Sequence, residues 1–95
     1  MVVGMGIITF RIHDCRSLKE KRKVVKAIVA RIRNHFNASV AETGLNDIYG
    51  RAEIGFALVG NSAQLINSKI DKIFNFAEEL GLAELVDTEM EIMTI

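Results

Sequence analysis

The 95-residue sequence contains no proline and no tryptophan, and only one tyrosine and one cysteine. Without proline there is no stiff extended linker, and no ring to break a helix or a central strand. A lone thiol, Cys15, excludes an intrachain disulfide, so a reducing compartment fits and a disulfide-stapled secreted scaffold does not. The apolar opening, residues 1–10, lacks a positively charged start and runs into Arg11, His13 and Asp14 without a small-residue cleavage site. It reads as a strand rather than a leader. No apolar stretch approaches the roughly 20 residues that cross a bilayer. These absences predict a cytoplasmic protein without a membrane partner.

Net charge is missing too: twelve basic side chains balance twelve acidic ones. The balance hides an asymmetry, because residues 1–48 carry a net +5 and residues 49–95 a net −5. Such a split marks an electrostatic face unless folding brings the two halves together and cancels the field. What is present, 49% hydrophobic and 25% charged residues, is the composition of one small globular domain spanning 1–95. A chain this short supports one modest core and leaves little room for a large cofactor; none is expected.

Residues 2–13 alternate, with Val2, Gly4, Gly6, Ile8, Phe10 and Ile12 on one face, which predicts a strand. Ser17-Leu18-Lys19-Glu20 has the form of a capping box. The helix it opens should run to about His35, with an apolar stripe of Leu18, Val25, Ile28, Val29, Ile32 and Phe36. Residues 37–43 and 51–59 read as two strands, joined through a glycine-bracketed hairpin loop over 44–50. Asn61-Ser62-Ala63-Gln64 opens a second helix with the stripe Ile66, Ile70, Ile73, Phe74, Ala77 and Leu80, closed by Gly81. A last strand over 85–93 sets Val86, Thr88, Met90 and Ile92 opposite Asp87, Glu89 and Glu91. The order is strand, helix, strand, strand, helix, strand. This predicts an α+β, ferredoxin-like split βαβ fold (βαββαβ), a four-stranded antiparallel sheet with two helices on one face.

The most prominent charged feature is the basic run on and before the first helix. At roughly 100° per residue, Lys19, Arg22, Lys23, Lys26 and Arg33 fall on one flank beside the apolar stripe, with Glu20 and Arg31 on the other side. Arg16 and Lys19 stand near the helix N-terminus, where free N–H groups favour anions. A one-sided ridge of this kind suits a phosphate backbone, which makes structured RNA or a ribosomal surface the candidate partner. The bland alternative is a solvated face whose charges pair with the acidic half.

An RNA-recognition module of this topology stacks bases on rings from its first and third strands. The outward positions here are Met5, Ile7, Thr9 and Arg11, then Arg51, Glu53, Gly55, Ala57 and Val59, and none is aromatic. Asp87, Glu89 and Glu91 should share that face, so base stacking on the open sheet is disfavoured. Met5, Ile7, Val59 and Met93 form instead a semi-apolar patch suited to a second sheet, in a homodimer or with a protein partner. Ordinary partial exposure of apolar side chains explains the patch equally well.

His13 and Cys15 are two apart on a strand end, but no companion cysteine pair or metal-ligand cluster accompanies them, and no metal site is expected. His35 should meet the helix dipole or solvent. The hairpin loop offers Asn46, Asp47 and Tyr49, with Arg51 just beyond, either as a functional tip or as plain turn formers with Tyr49 folded onto the core. An enzyme built on His13, Cys15, Asp47 or Tyr49 lacks a complete set of catalytic roles. Gly4 and Gly6 lie in a strand without the rest of a dinucleotide fingerprint.

The segment from Arg16 to Lys26, RSLKEKRKVVK, resembles the YlxP-like family, small bacterial proteins of unassigned function. Asn37-Ala38-Ser39-Val40-Ala41-Glu42 followed by Gly44, Asp47 and Arg51-Ala52 is similar to that family's second block, and Tyr49 stands where many relatives carry Trp. The resemblance covers nearly the whole chain and implies a ferredoxin-like fold. It also implies genomic company with translation initiation and ribosome-maturation factors, and it brings no catalytic residues. Two readings stand: a non-catalytic RNA- or ribosome-binding protein acting through Arg16, Lys19, Arg22, Lys23, Lys26 and Arg33, and a protein-interaction or homo-oligomeric module acting through the outer sheet.

Overall fold

Alternation at the start of the chain and 3.6-residue periodicity after Ser17 are realised as β1 (Val2–Arg11) and α1 (Leu18–His35) in the computed structural model, which describes residues 1–95. There follow β2 (Ser39–Gly44), β3 (Arg51–Gly60), α2 (Ala63–Glu79) and β4 (Glu84–Thr94). The sheet order is β2-β3-β1-β4 with every neighbouring pair antiparallel, the ferredoxin-like plan. Both helices cover one face, α1 above β2 and β3, α2 mainly above β1 and β4.

The core lies between these layers. Ile8, Phe10, Ala52 and Ile54 of the sheet, Ile32 of α1, and Ile70 and Ile73 of α2 are all completely buried. Each such isoleucine contributes about 1.5–3 kcal/mol relative to exposure. The two strand glycines are packing residues. A Cβ on Gly4 would stand 2.4 Å from Cγ2 of Ile66, and one on Gly6 would stand 2.2 Å from the edge of the Phe56 ring. Their absent side chains let α2 approach the sheet closely and let the Phe56 ring of β3 lie across β1.

Four details depart from the sequence reading. β1 ends at Arg11 rather than at residue 13, since the chain turns through a left-handed Asp14 (φ 57°), although the Ile12 N–H still bonds the Gly50 carbonyl at 2.9 Å. β2 starts at Ser39, two residues later than the β-branched composition suggested. In α1 the buried line is Lys21, Val25, Ile28 and Ile32, so Lys21 takes the place in the core that the apolar stripe assigned to Leu18. In β4 a bulge moves the register between Thr9, opposite Asp87, and Phe10, opposite Leu85. Leu85, not Val86, therefore packs against the core.

Candidate nucleic-acid interface

The Ser17 cap fixes where α1 begins and hence which way its cations point. Ser17 is extended (φ −156°, ψ 161°), its Oγ accepts the Glu20 N–H at 3.2 Å, and the Glu20 carboxylate accepts the Arg16 N–H at 2.7 Å. The Ser17 half of the capping box is thus made, whereas the Glu20 carboxylate reaches one residue further back, to the N–H of Arg16 rather than that of Ser17. From this start Lys19, Arg22, Lys23, Lys26 and Arg33 emerge on one continuous flank, and all of them, with Arg16, are exposed. Arg22, Lys26 and Arg33 border a shallow depression against Val29 and Glu42, where α1 overhangs β2. One of the six is tethered: the Arg33 guanidinium donates to the Val40 carbonyl at 2.9 Å.

The chain makes two ion pairs, His13 with Glu84 and Lys21 with Glu42, and neither uses a ridge cation. The direct pairing of ridge cations with the acidic half that the sequence allowed is absent from these ion pairs. Topology supplies the reason. α1 lies over β2 at one edge of the sheet, while Asp87, Glu89 and Glu91 stand on β4 at the other. Three strand spacings of about 4.8 Å separate the edge strands, roughly 14 Å. That exceeds the Debye length of about 8 Å at physiological ionic strength.

Lys21 belongs to the basic run in sequence but not in space. Only 1% exposed, it places Nζ 3.2 Å from Oε2 of Glu42 and donates to the Leu45 carbonyl. The pair is off the hydrogen-bonding angle, leaving Oε2 as a buried carboxylate oxygen held by charge alone. Leu45 is itself left-handed (φ 56°), and its carbonyl also accepts the Ile48 N–H at 3.1 Å. One buried ammonium thus links the first turn of α1, the inner face of β2 and the turn of the hairpin loop. The signal for Lys21 was spacing: it lies four residues before Val25 and seven before Ile28, on the apolar stripe.

The loop residues Asn46, Asp47 and Tyr49 are exposed, as is Arg51. Tyr49 is not folded onto the core, since it remains 48% exposed, as does Ile48. Tyr49 follows directly on the turn closed by the Leu45–Ile48 bond. Arg51 stands directly opposite Arg11 across the β1–β3 ladder. Arg11, which the sequence reading placed on the outer sheet without singling it out, joins the basic groups at this end of the molecule.

On the outer sheet face Val3 is flanked by the exposed Val59 and Met93. Met5 and Ile7 are half-buried, and their β4 neighbours are Glu91 and Glu89. A second sheet laid over this patch would have to desolvate two carboxylates. His13 Nε2 lies 2.6 Å from Glu84, whereas the Cys15 thiol donates to the Ser17 carbonyl at 3.4 Å, so the two side chains serve different local contacts. No three His, Cys, Asp or Glu side chains gather as a metal site would require. His35 does not reach out to solvent alone but stacks on Phe76, with ring centroids 4.4 Å apart and planes 20° from parallel. No helix is long and apolar enough to cross a membrane.

Comparison with known proteins bears on this geometry. Residues 3–90 match the model of a family described as a protein of unknown function, DUF503. The uncharacterized protein YlxP of Bacillus subtilis (strain 168) is 35% identical over 90 residues, which covers 95% of this chain and 98% of that protein. Among solved structures, the de novo designed protein Foldit4 superposes with a TM-score of 0.56 at 14% identity, covering 100% of this chain and 99% of that one. A second de novo design, with a ferredoxin fold, gives 0.54 at 15% identity, covering 100% and 87%. Identities this low speak for the fold alone.

Proposed function

The chain belongs to the DUF503 family, and from the first helix of this member we propose a non-catalytic RNA-binding protein of the cytoplasm that docks on structured RNA or a ribosomal surface. The observation that carries this reading is the flank of Arg16, Lys19, Arg22, Lys23 and Lys26, exposed and with no side-chain ion pair to any carboxylate of the chain. Arg33 extends it while anchored to β2. Counterion release from an RNA backbone rewards such a line of cations, and the contacts are to phosphates, hence weakly dependent on sequence.

The test is binding to ribosomal particles and total RNA across a salt series, with Lys23→Glu/Lys26→Glu beside the parent. About five phosphate contacts give a log–log salt slope of roughly −4. The double reversal should flatten that slope by about two units and abolish retention near physiological salt. Absence of binding by the parent at low salt would overturn the reading. The sheet-face alternative is less favoured, because Glu89 and Glu91 rim the apolar patch that a second sheet would have to cover.

A further inference from the structure

We infer that the loop end of the sheet is a second contact, specific for unpaired nucleotides, in which Arg11 and Arg51 grip a phosphodiester and Tyr49 stacks on a base. The inference rests on the RNA reading above but uses a different surface from the α1 ridge. Arg11 and Arg51 are directly opposed across the β1–β3 ladder, and both are exposed. Directly opposed residues have Cβ atoms about 5 Å apart, and like charges so placed repel unless an anion lies between them.

No intramolecular anion does. The acid beside Arg11 in the ladder, Glu84, pairs with His13 instead, and no carboxylate lies within ion-pair distance of either guanidinium. Two planar forks at this spacing suit the terminal oxygens of a phosphate.

Two residues before Arg51, the chain exposes its only tyrosine. That loop is not a slack tip. The Leu45 carbonyl is held by both Lys21 and the Ile48 N–H, and the Gly50 carbonyl is held by Ile12. The two non-glycine residues with left-handed backbone, Asp14 and Leu45, both lie in the connections at this end. Of the two, Leu45 is the strained one, since aspartate enters this region readily, and the bonds to its carbonyl hold it there as a preformed site requires. An exposed ring beside paired cations binds single strands, because a base inside a duplex has no free face. Through Lys21 the loop adjoins the first turn of α1, so one RNA can run from a paired stem on the ridge to an unpaired segment here.

With no tryptophan in the chain, intrinsic fluorescence reports on Tyr49 alone. The experiment titrates the protein at low salt with an unstructured RNA of about eight nucleotides, within the span of known single-strand sites. A fully paired RNA of the same length and a polyglutamate peptide are titrated in parallel. Quenching should occur with the single strand only. Arg11→Ala/Arg51→Ala should move its midpoint by about ten-fold or more, and Tyr49→Leu should weaken binding of labelled RNA by a similar factor. Tyr49→Trp should restore it. Lys23→Glu/Lys26→Glu should retain the quench by the short strand within a few-fold.

No quench by the single strand, equal quench by the duplex or the peptide, or an unmoved midpoint in the arginine variant would each overturn the inference. Ribosomal binding that depends on Lys23 and Lys26 without any quench would remove this contact and leave the ridge. A quench without ribosomal binding would do the reverse.

Discussion

Lys21 shows how one side chain can serve both stability and the site. Its ammonium is held beside Glu42, whose side chain is 21% exposed, and under the left-handed Leu45. Removing one member of a fully buried pair costs about 3–5 kcal/mol because the other is left unpaired. Water can still reach Glu42, so Lys21→Met should destabilise the protein by about 2–3 kcal/mol in a denaturant titration. Adding Glu42→Leu should recover most of that loss, since apolar replacement of both partners is often neutral. Composition reads Lys21 as one more solvated cation among Lys19, Arg22 and Lys23. Helical spacing places it on the core stripe, yet spacing alone does not supply the carboxylate and carbonyl that receive it. Those come from β2 and the hairpin loop, through tertiary contact. Arg11 escaped notice for the same reason, because its register with Arg51 exists only once β1 and β3 pair.

At the scale of elements, the packing of α2 on the sheet depends on what β1 leaves out. Gly4 faces Ile66 and Ile70, both buried in α2, and the contacting Ile66 methyl is a branch at Cβ with little freedom to swing away. Gly4→Ala should therefore lift α2 from the sheet and lower stability by about 1–3 kcal/mol, measured by thermal unfolding, with secondary structure intact at low temperature. The strand and helix assignments were legible because each element carries one clean period and a recognisable end: Ser17 and Ser62 as caps, Gly81 in the left-handed conformation (φ 67°) just past α2. The β4 bulge was not legible. Leu85 and Val86 are adjacent and both apolar, so alternation cannot say which faces inward; the register against Phe10 decides it.

For the molecule as a whole, the sheet order turns a neutral sequence into a polar particle. The ridge over β2 and the carboxylates of β4 stand at opposite edges. A polyanion approaching this field is attracted on one side and repelled on the other, so the predicted salt dependence is accompanied by a fixed orientation of docking. The asymmetry between the halves of the chain was visible in the sequence. Its survival after folding was not, because it depends on which strands become the edges.

Those same edges govern how copies of the chain behave when crowded. Unpaired edge strands are templates for strand addition and aggregation. On β2 the Arg33 guanidinium occupies the Val40 carbonyl, and β4, although eleven residues long, carries a bulge and three carboxylates along its outer face. These are the devices by which open sheets keep to themselves. Glu89→Val/Glu91→Val would leave the core untouched while joining Met5, Ile7 and Met93 into one apolar outer face that reaches the β4 edge. Light scattering should then show concentration-dependent aggregation in that variant and a clear solution of the parent, so the acidic half of this chain acts as its gatekeeper against self-assembly.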